Sequence, residues 1–399
     1  MTYVTVEYVK IKMTILAVVT LGFIHCGFAP KHGDAQPSAS AQMGAATKAT
    51  ACLSDCNPPQ DVLLSFGQPK SFAPANCTVS EATALPTGSG ILALMVANCG
   101  GQVQAYSSLL DASGTPVGAP VPVSTSCIAK DAAVSSLVAE AGSGGFAVSF
   151  ICGTSRYSND SGVSFLDSAG RVITSFLFLD SDYVNRSSPA LLAWNPATST
   201  YGVALHTVFR RYTPRGVKVD ADLKLPNSHG YPRVLRSGKG YWTVISGSDW
   251  STPYCSRIGS TGTLDINDIA LAQPSGQGVT IDQSDSIATA SSSIATFSPV
   301  ACALTSKWAT GNLNDQVKTY YGSTPFGSRY LAQLYTNDRA VVSIAFMDLV
   351  LGTVLSTSGV TNATQVNHVS AFALNQKMYV TVAKDNDAVV VISDQAIPQ

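Results

Sequence analysis

A turn-and-strand unit that recurs along the chain constrains the fold more than any other sequence feature. Its clearest copy, GSGGFAVSFICGTSRYSNDSGVSFLDSAGRVITSFLF, spans 142–178 and contains three apolar-rich segments delimited by a Gly/Ser turn, a polar loop and an Asp-x-x-Gly turn. Phe146, Val148 and Phe150 alternate with small residues, which is the period-two pattern of a β-strand. The Asp-x-x-Gly turn suits a hairpin, because glycine adopts the left-handed conformation freely. The unit therefore predicts antiparallel strands joined by tight turns.

Looser copies of this unit follow from about residue 60 onward, and no helical periodicity exceeds one or two turns. A Gly/Ser/Asn turn that leads into an alternating strand occurs at 88–98, 142–152, 198–207, 238–247, 337–346 and 375–383. A strand that leads into a tight turn occurs at 109–117, 165–173, 210–219 and 256–264. The resulting units start near 77, 127, 186, 230, 282, 328 and 366. Their spacing of roughly 40–55 residues is typical of four-stranded propeller blades.

The predicted fold is all-β, with a single β-propeller over residues 61–399. Seven four-stranded blades fit the units best, and six or eight are the alternatives. The last unit is one strand short, and the run DVLLSFG (61–67) would supply that strand and close the ring. Closure removes free sheet edges. Two β-sandwiches in tandem would also give short, regular strands, but the repeated order of turns and the lack of a linker favour the propeller.

The charge balance excludes several classes of function. Charged residues make up 12% of the chain and the net charge is −1, against about 25% charged residues in an average soluble domain. Because there is no cluster of Lys and Arg, neither nucleic acid nor an anionic membrane surface is an expected partner. HExxH, GxSxG and P-loop motifs are absent, as are Cys-x-x-Cys pairs, so the sequence predicts no cofactor and no metal site.

The N-terminal region has the pattern of an export signal. Lys10 and Lys12 precede an apolar run that ends at Cys26, which indicates a signal peptide over 1–26. The run LGFIHC resembles the lipobox of bacterial lipoproteins, and this resemblance implies lipidation of Cys26, although His25 departs from the small residue usual there. Cleavage further on, after Ala35, is the alternative. Residues 27–60 form a predicted flexible tether and N-terminal cap, because they are rich in Ala, Ser, Gln and Pro.

With its export signal and its repeats, the chain resembles secreted bacterial β-propeller lipoproteins. The resemblance implies a monomer in the bacterial cell envelope that touches the membrane only through its lipid anchor. The repeats are generic, so the resemblance identifies an architecture and no particular chemistry. We expect a binding or scaffolding module with a protein or a glycan as its ligand, because of the long loops described below.

The cysteines predict disulfides and an oxidising compartment, because the chain contains nine of them. Whether Cys26 is lipidated or removed with the signal peptide, eight cysteines remain available in the mature chain, and an even number can pair completely. In a propeller blade the start of the first strand lies beside the end of the second, so cysteines at those two places can pair. The predicted pairs are Cys77–Cys99 and Cys127–Cys152 within units, Cys255–Cys302 between units, and Cys52–Cys56 or a link from these two that fixes the N-terminal segment.

The longest predicted loops between second and third strands carry the candidate ligand-binding residues. These loops span 152–162, 246–255 and 306–315. They lie on the propeller face that usually binds ligands, and they contain Trp, Tyr and Arg, which are enriched at binding hot spots. Packing within the fold is the alternative role for the tryptophans. The candidates are Arg156, Tyr157, Asp160, Asp249, Trp250, Tyr254 and Trp308.

A glycan-acting hydrolase is the alternative function. SNDSGVSF (158–165) is similar to the Asp-box of sialidase-like propellers, a structural turn that does not itself catalyse. A pair of carboxylates for glycoside hydrolysis would come from the central channel. The loop residues available are Asp160, Asp180, Asp182, Asp249 and Asp315. Carboxylates with a raised pKa that face the channel would favour the enzyme.

Overall fold

The computed structural model describes most of the chain from residue 64 onward. The described residues are 64–88, 90–124, 133–155, 158–180, 189–226, 232–246, 254–271, 279–281, 287–290, 293–298, 300–309, 319–326, 330–336, 341–348 and 353–397. They belong to one compact unit, Asn57–Gln399. The predicted signal peptide (1–26) and tether (27–60) lie outside the described residues. Nothing in the described part of the chain is a helix that could span a membrane.

The described strands form seven four-stranded antiparallel sheets, and no helix occurs among the described residues. Each sheet is named here by its order in the chain. The strands are β1 (Lys70–Ser71); sheet 1 with β2 (Cys77–Pro86), β3 (Ile91–Cys99), β4 (Gln102–Leu110) and β5 (Val121–Pro122); sheet 2 with β6 (Ala133–Gly142), β7 (Gly145–Ser155), β8 (Ser158–Asp167) and β9 (Val172–Asp180); and sheet 3 with β10 (Leu191–Asn195), β11 (Thr200–Leu205), β12 (Val208–Tyr212) and β13 (Leu223–Lys224). They continue with sheet 4, which has β14 (Pro232–Ser237), β15 (Tyr241–Ser246), β16 (Tyr254–Gly259) and β17 (Leu264–Ala270); sheet 5 with β18 (Val279–Ile281), β19 (Ile287–Ala290), β20 (Ser293–Ser298) and β21 (Ala303–Ala309); sheet 6 with β22 (Thr319–Phe326), β23 (Tyr330–Thr336), β24 (Val341–Asp348) and β25 (Thr353–Asn362); and sheet 7 with β26 (Val366–Leu374), β27 (Lys377–Lys384) and β28 (Asp387–Ile392).

The sheets follow one another as the blades of a β-propeller do. Strands of sheets 1 to 6 lie side by side in chain order, and the first strand of each sheet contacts the first strand of the next. The series returns on itself, because β26 of sheet 7 contacts β2 of sheet 1. The all-β prediction is confirmed. The sheets also begin close to the predicted unit starts, at residues 77, 133, 191, 232, 279, 319 and 366.

β1 completes sheet 7 by pairing with the edge of β28. Lys70 pairs with Val390, and the N–H of Phe72 donates to the carbonyl of Ala388 at 2.9 Å. Phe72 is buried in the core that sheets 7 and 1 share, and this burial sets the position of the strand. The described end of the predicted run 61–67 continues the same edge, because Phe66 bridges Ser393 and the N–H of Gly67 donates to the carbonyl of Ile392 at 2.9 Å. The predicted closure by this segment is therefore confirmed in part, with the two-residue strand β1 just C-terminal to the run.

Neighbouring sheets share their hydrophobic cores. Leu94 of sheet 1 packs with Phe150 of sheet 2, and Phe209 of sheet 3 packs with Trp242 of sheet 4. The second strands are buried on both faces, so that every residue of β11 and β23 is buried. Continuous apolar runs are expected of strands that are covered on both sides.

Turns after the third strands dock on the preceding sheet, and we call them docking turns. In sheets 1 to 4 each contains a glycine in the left-handed region, with φ between 74° and 80°. A Cβ atom on any of these glycines would lie 2.7 Å from an atom of the preceding sheet, so only glycine fits without displacement. The glycines and the residues they touch are Gly114 on Val390, Gly170 on Leu92, Gly216 on Phe165, and Gly262 on Asp220.

Two predicted disulfides are confirmed. Cys77 and Cys99 are paired at the open end of the β2–β3 hairpin. Cys255–Cys302 joins sheets 4 and 5, as predicted. Cys255 belongs to the third strand β16, and Cys302 lies in the turn before the fourth strand β21. The cysteine at 152 is disulfide-bonded; Cys127, Cys52, Cys56 and Cys26 lie outside the described residues, so their predicted roles stay predictions.

Candidate functional site

The predicted polar loop 153–162 is mostly strand. β7 extends to Ser155 and β8 begins at Ser158, and Gly153 pairs with Asn159. Gly162 is not a turn residue, because it pairs with Phe150 within the β7–β8 ladder. The ring of Phe176 of β9 lies over it, where a Cβ atom would come within 2.1 Å. The loop prediction was wrong because a polar sequence in a hairpin looks like a loop when its cross-strand partner is unknown.

The candidate ligand residues are spread over several sheets. Asp160 is half-buried in β8, opposite Cys152, and Tyr254 is half-buried at the start of β16, opposite Ser246. Asp160 belongs to sheet 2 and Tyr254 to sheet 4, with sheet 3 between them in the series. Trp308 is in the fourth strand β21 and pairs with Ile294, which corrects its predicted place in a loop. The other candidates, Arg156, Tyr157, Asp249 and Trp250, lie outside the described residues.

The structure singles out two glutamates on first strands that the sequence had not suggested. Glu140 on β6 accepts a hydrogen bond from the backbone N–H of Trp194 on β10, at 3.1 Å. Glu81 on β2 accepts one from the N–H of Leu137 on β6, at 2.6 Å. Each glutamate therefore links the first strand of its own sheet to the first strand of the next.

The chain contains only three glutamates, at positions 7, 81 and 140, against 22 aspartates. Two of the three thus have the same kind of role in neighbouring sheets. A glutamate side chain is one methylene longer than that of aspartate, which extends its reach from one strand to the next. This scarcity of glutamate is the sequence signal that could have identified both residues.

Trp194 and Arg236 surround the carboxylate of Glu140. The indole of Trp194 packs against Tyr201, with 4.8 Å between the ring centroids, and both rings cover Gly142, where a Cβ atom would clash with them. Burial raises the pKa of Glu140, while the charge of Arg236 on β14 and the Trp194 N–H act in the opposite direction. Among the described residues the buried Nε of Arg236 has no hydrogen-bond partner. Three consecutive sheets therefore contribute to this cluster.

His368 lies near Glu81 on the other side of sheet 1. Its Nδ1 is 2.8 Å from the carbonyl oxygen of Ala82, so Nδ1–H donates this bond. Burial raises the pKa of Glu81, and the nearby His368 and the Leu137 N–H lower it in part. Beside this pair, Thr83 and Ser370 share a hydrogen bond of 3.1 Å. The group joins sheets 7, 1 and 2 at the place where the series of sheets closes.

A small apolar pocket, lined by Leu179, Val203, Leu205, Val208 and Arg210, lies between sheets 2 and 3. Its lining is aliphatic except for Arg210, which donates to the carbonyl of Leu179 at 2.6 Å. Arg210 also forms two hydrogen bonds of 3.0 Å with Asp222. Since its polar residue is already paired, this pocket offers little to a polar ligand. Within the described ranges no three His, Cys, Asp or Glu side chains form a metal-ligand group.

Comparison with known proteins supports the fold and gives no closer family. No protein-family model and no curated protein matches the sequence. Among solved structures, the WD40 repeats of RRP9 match with a TM-score of 0.52 and 9% identity, covering 82% of this chain and 99% of that one. BBS1N, solved in complex with ARL6DN, matches with a TM-score of 0.53 and 10% identity, covering 85% and 98%. At this identity the likeness shows a β-propeller fold and nothing about activity.

A third match is to hydrazine synthase of Kuenenia stuttgartiensis, with a TM-score of 0.38 and 14% identity. It covers 48% of this chain, and this chain spans about half, 54%, of that one. Nothing below depends on it.

Proposed function

We propose that this chain is a seven-bladed β-propeller that binds a protein partner as a scaffolding module of the cell envelope. The blade number rests on the seven four-stranded sheets and on the contact of β26 with β2. Binding rather than catalysis rests on one observation above all. Both described carboxyls whose pKa burial raises, Glu81 and Glu140, already accept a backbone N–H from the next sheet.

A glycan-acting hydrolase remains the second candidate, because raised-pKa carboxyls on first strands are what such an enzyme would use. A glycosidase needs one free carboxylic acid and one free carboxylate on either side of the sugar bond. Glu81 and Glu140 have instead the hydrogen bonds of inter-sheet links. Their exchange for glutamine separates the two functions, as described below.

The binding surface that we propose is the face formed by connections from second to third strands. In an antiparallel sheet of four strands, these connections lie on the opposite side from the connections between first and second strands. Tyr254 marks this face in sheet 4 and adjoins Cys255, which is buried and crosslinked to sheet 5. A rigid edge favours binding, because less conformational entropy is lost when a partner docks. A protein partner is also consistent with the neighbour solved in complex with ARL6DN.

Site-specific photo-crosslinking tests this surface. A photoreactive amino acid replaces Asp160 in β8 or Tyr254 at the start of β16, both next to connections from second to third strands. As a control, it replaces exposed Lys239 in the turn between β14 and β15, on the opposite face. We expect a discrete protein adduct from the first two positions, which an excess of unmodified protein abolishes, and none from Lys239. Equal adducts from all three positions, or none from any, would overturn the proposed surface.

A hydrolysis screen on envelope glycans with E81Q and E140Q tests the alternative. Glutamine keeps an acceptor oxygen for the N–H of Leu137 or Trp194 and removes the titrating proton. Glycan hydrolysis that both variants lose while they remain folded would establish the enzyme. Retained or absent hydrolysis in both variants argues against these carboxyls as catalysts.

Attachment to the envelope through Cys26 belongs to the same proposal and rests on the lipobox-like run before that residue. Labelled palmitate supplied to expressing bacteria should be incorporated into the wild-type chain and not into C26S. Labelling of both proteins, or of neither, would contradict lipidation at this position.

A further inference from the structure

The docking turns share a second feature besides their glycines. In each of sheets 1 to 5, a carbonyl oxygen of the turn accepts a hydrogen bond from a side chain of the preceding sheet. The donor and acceptor pairs are Tyr379 to Ala112 (2.9 Å), Ser107 to Gly170 (2.8 Å), Thr174 to Arg215 (2.6 Å), Arg211 to Ser260, and Arg257 to Val300 (2.5 Å). The docking turn is therefore a repeated inter-sheet contact in which each turn closes on the sheet before it.

In the fifth docking turn a cysteine takes the place of the glycine. Cys302 has a φ of 49°, in the same left-handed region as Gly114, Gly170, Gly216 and Gly262. Its sulfur is bonded to Cys255 of sheet 4, the preceding sheet. A side chain other than glycine is strained at such a φ by roughly 1–2 kcal/mol. In sheets 1 to 4 the glycine of the docking turn lies in close contact with the preceding sheet. In sheet 5 the disulfide of Cys302 replaces this contact by a covalent bond.

The first three strands of sheet 5 are short and contain few large apolar side chains. β18, β19 and β20 read VTI, IATA and SIATFS, and Phe297 is the one aromatic residue in these three strands. By contrast, β23 of sheet 6 reads YLAQLYT and β15 of sheet 4 reads YWTVIS. Because buried apolar area is the main stabilising contribution between packed sheets, sheet 5 depends more on any additional link.

We propose that the Cys255–Cys302 disulfide is a lock that holds sheet 5 on sheet 4, and that its reduction releases sheet 5 locally while sheets 1 to 3 stay folded. Both cysteines are almost completely buried, at 1% and 2% exposure. A reductant can therefore reach their sulfur atoms only when the contact between the two sheets opens. The Cys77–Cys99 bond, whose cysteines are half-buried in one hairpin of sheet 1, lacks this inter-sheet role. This inference does not depend on the proposed partner.

The reductant is a dithiol, which acts by thiol–disulfide exchange. One thiolate of the dithiol attacks a cysteine sulfur, forms a mixed disulfide and displaces the other cysteine as a thiolate. The second thiol of the reagent then closes its own disulfide and displaces the first cysteine. Two electrons pass from the dithiol to the cysteine pair, and the two protons lost by the dithiol go to the cysteine thiolates.

Hydrogen exchange of the full chain tests the lock. The C255S/C302S variant is compared with the wild type and with C77S/C99S, a matched control that also lacks one disulfide. We expect amide exchange in β20 and β21 to become faster by on the order of 100-fold in C255S/C302S, with sheets 1 to 3 unchanged. C77S/C99S should leave β20 and β21 as they are in the wild type.

A third variant, C255S/C302G, tests whether position 302 is equivalent to the docking-turn glycines. Glycine accepts the left-handed φ without strain, so this variant should recover part of the protection that C255S/C302S loses. If C255S/C302S does not fold, the wild type is reduced with dithiothreitol and followed by mass spectrometry and exchange together. Reduction of Cys255–Cys302 should then coincide with faster exchange in β20 and β21.

Faster exchange in all sheets alike would overturn the lock, because the disulfide would then stabilise the molecule as a whole. Unchanged exchange in sheet 5 after loss of the disulfide would overturn it as well. If C302G protects no better than C302S, position 302 is not equivalent to the docking-turn glycines.

Discussion

The carboxylate of Glu140 accepts a hydrogen bond from the backbone N–H of Trp194, and this 3.1 Å contact joins the first strands of sheets 2 and 3. Glu81 repeats the arrangement between sheets 1 and 2, on the N–H of Leu137. A backbone N–H that lacks a partner in a buried position is costly. These two side chains thus contribute to the cohesion of the series of sheets.

Replacing Glu140 separates its role as an acceptor from its charge. E140A leaves the N–H of Trp194 without its partner, and we expect it to lower the free energy of unfolding by about 1–3 kcal/mol. E140Q keeps an acceptor oxygen and should lose less. Chemical denaturation of both variants measures the difference. Equal losses in the two would show that the acceptor oxygen at this position does not stabilise the contact.

The raised pKa of Glu140 predicts a pH dependence with a defined sign. Burial raises this pKa above its ordinary value of 4.5, so the folded state holds the proton more tightly than the unfolded state. The stabilisation from Glu140 is complete below pH 4.5 and is lost as the pH rises through the folded pKa. The E140Q side chain cannot ionise. As the pH rises from 4.5 through the folded pKa, the free energy of unfolding of E140Q should therefore increase relative to that of the wild type.

Asp111 provides a control for this pH dependence, because its pKa is shifted in the opposite direction. The Ser113 hydroxyl, followed by the Thr115 N–H, lowers the pKa of Asp111 below 3.8. The stabilisation from Asp111 is present above pH 3.8 and is lost as the pH falls through its folded pKa. The difference between D111N and the wild type should therefore change in acid and stay constant above pH 4.5. A flat difference for E140Q across the whole range would contradict the assigned direction.

The docking turns predict a contrast between two glycines. Gly170 and Gly144 both have positive φ, 74° and 81°, but only Gly170 touches another sheet, with Leu92 2.7 Å from its would-be Cβ. Around Gly144 nothing lies within 4 Å of that position. We expect G144A to cost about 1 kcal/mol from backbone strain and G170A about 1–3 kcal/mol more from overpacking. Thermal and chemical unfolding measure the loss of stability in each variant. Equal losses in G144A and G170A would show that the contact of Gly170 with sheet 1 does not require glycine.

Closure of sheet 7 predicts a large effect at Phe72. This side chain is 2% exposed, in the core shared by sheets 7 and 1. F72A should lower the free energy of unfolding by about 3–5 kcal/mol. I173A, at an exposed position of the outer strand β9, should stay within about 0.5 kcal/mol of the wild type. A small effect at Phe72 would mean that β1 adds little to the closed series.

Local patterns predicted the positions of the sheets well, and long-range contacts account for what the sequence missed. The unit at 142–178 could be recognised because alternation and the left-handed turn at Gly170 are encoded within a few residues. Trp308 was misplaced because sheet 5 is rich in Ser, Thr and Ala, so its strands lack a clear apolar alternation. Glu81 and Glu140 were missed because their partners are backbone N–H groups 56 and 54 residues away, which leave no mark in the neighbouring sequence.

The pairing of β1 with β28 has a consequence for how the chain is made. Synthesis proceeds from the N-terminus, so β1 leaves the ribosome before any strand of sheets 1 to 6, while β28 follows all of them. Each of those six sheets contains only consecutive strands, so all of its strands are available once its own stretch of chain has emerged. Until β28 appears, β1 lacks its strand partner, and sheet 1 is the only part of the surrounding core that can cover Phe72. A nascent chain halted before Asp387 therefore lacks the closing pair, however completely the earlier sheets have folded.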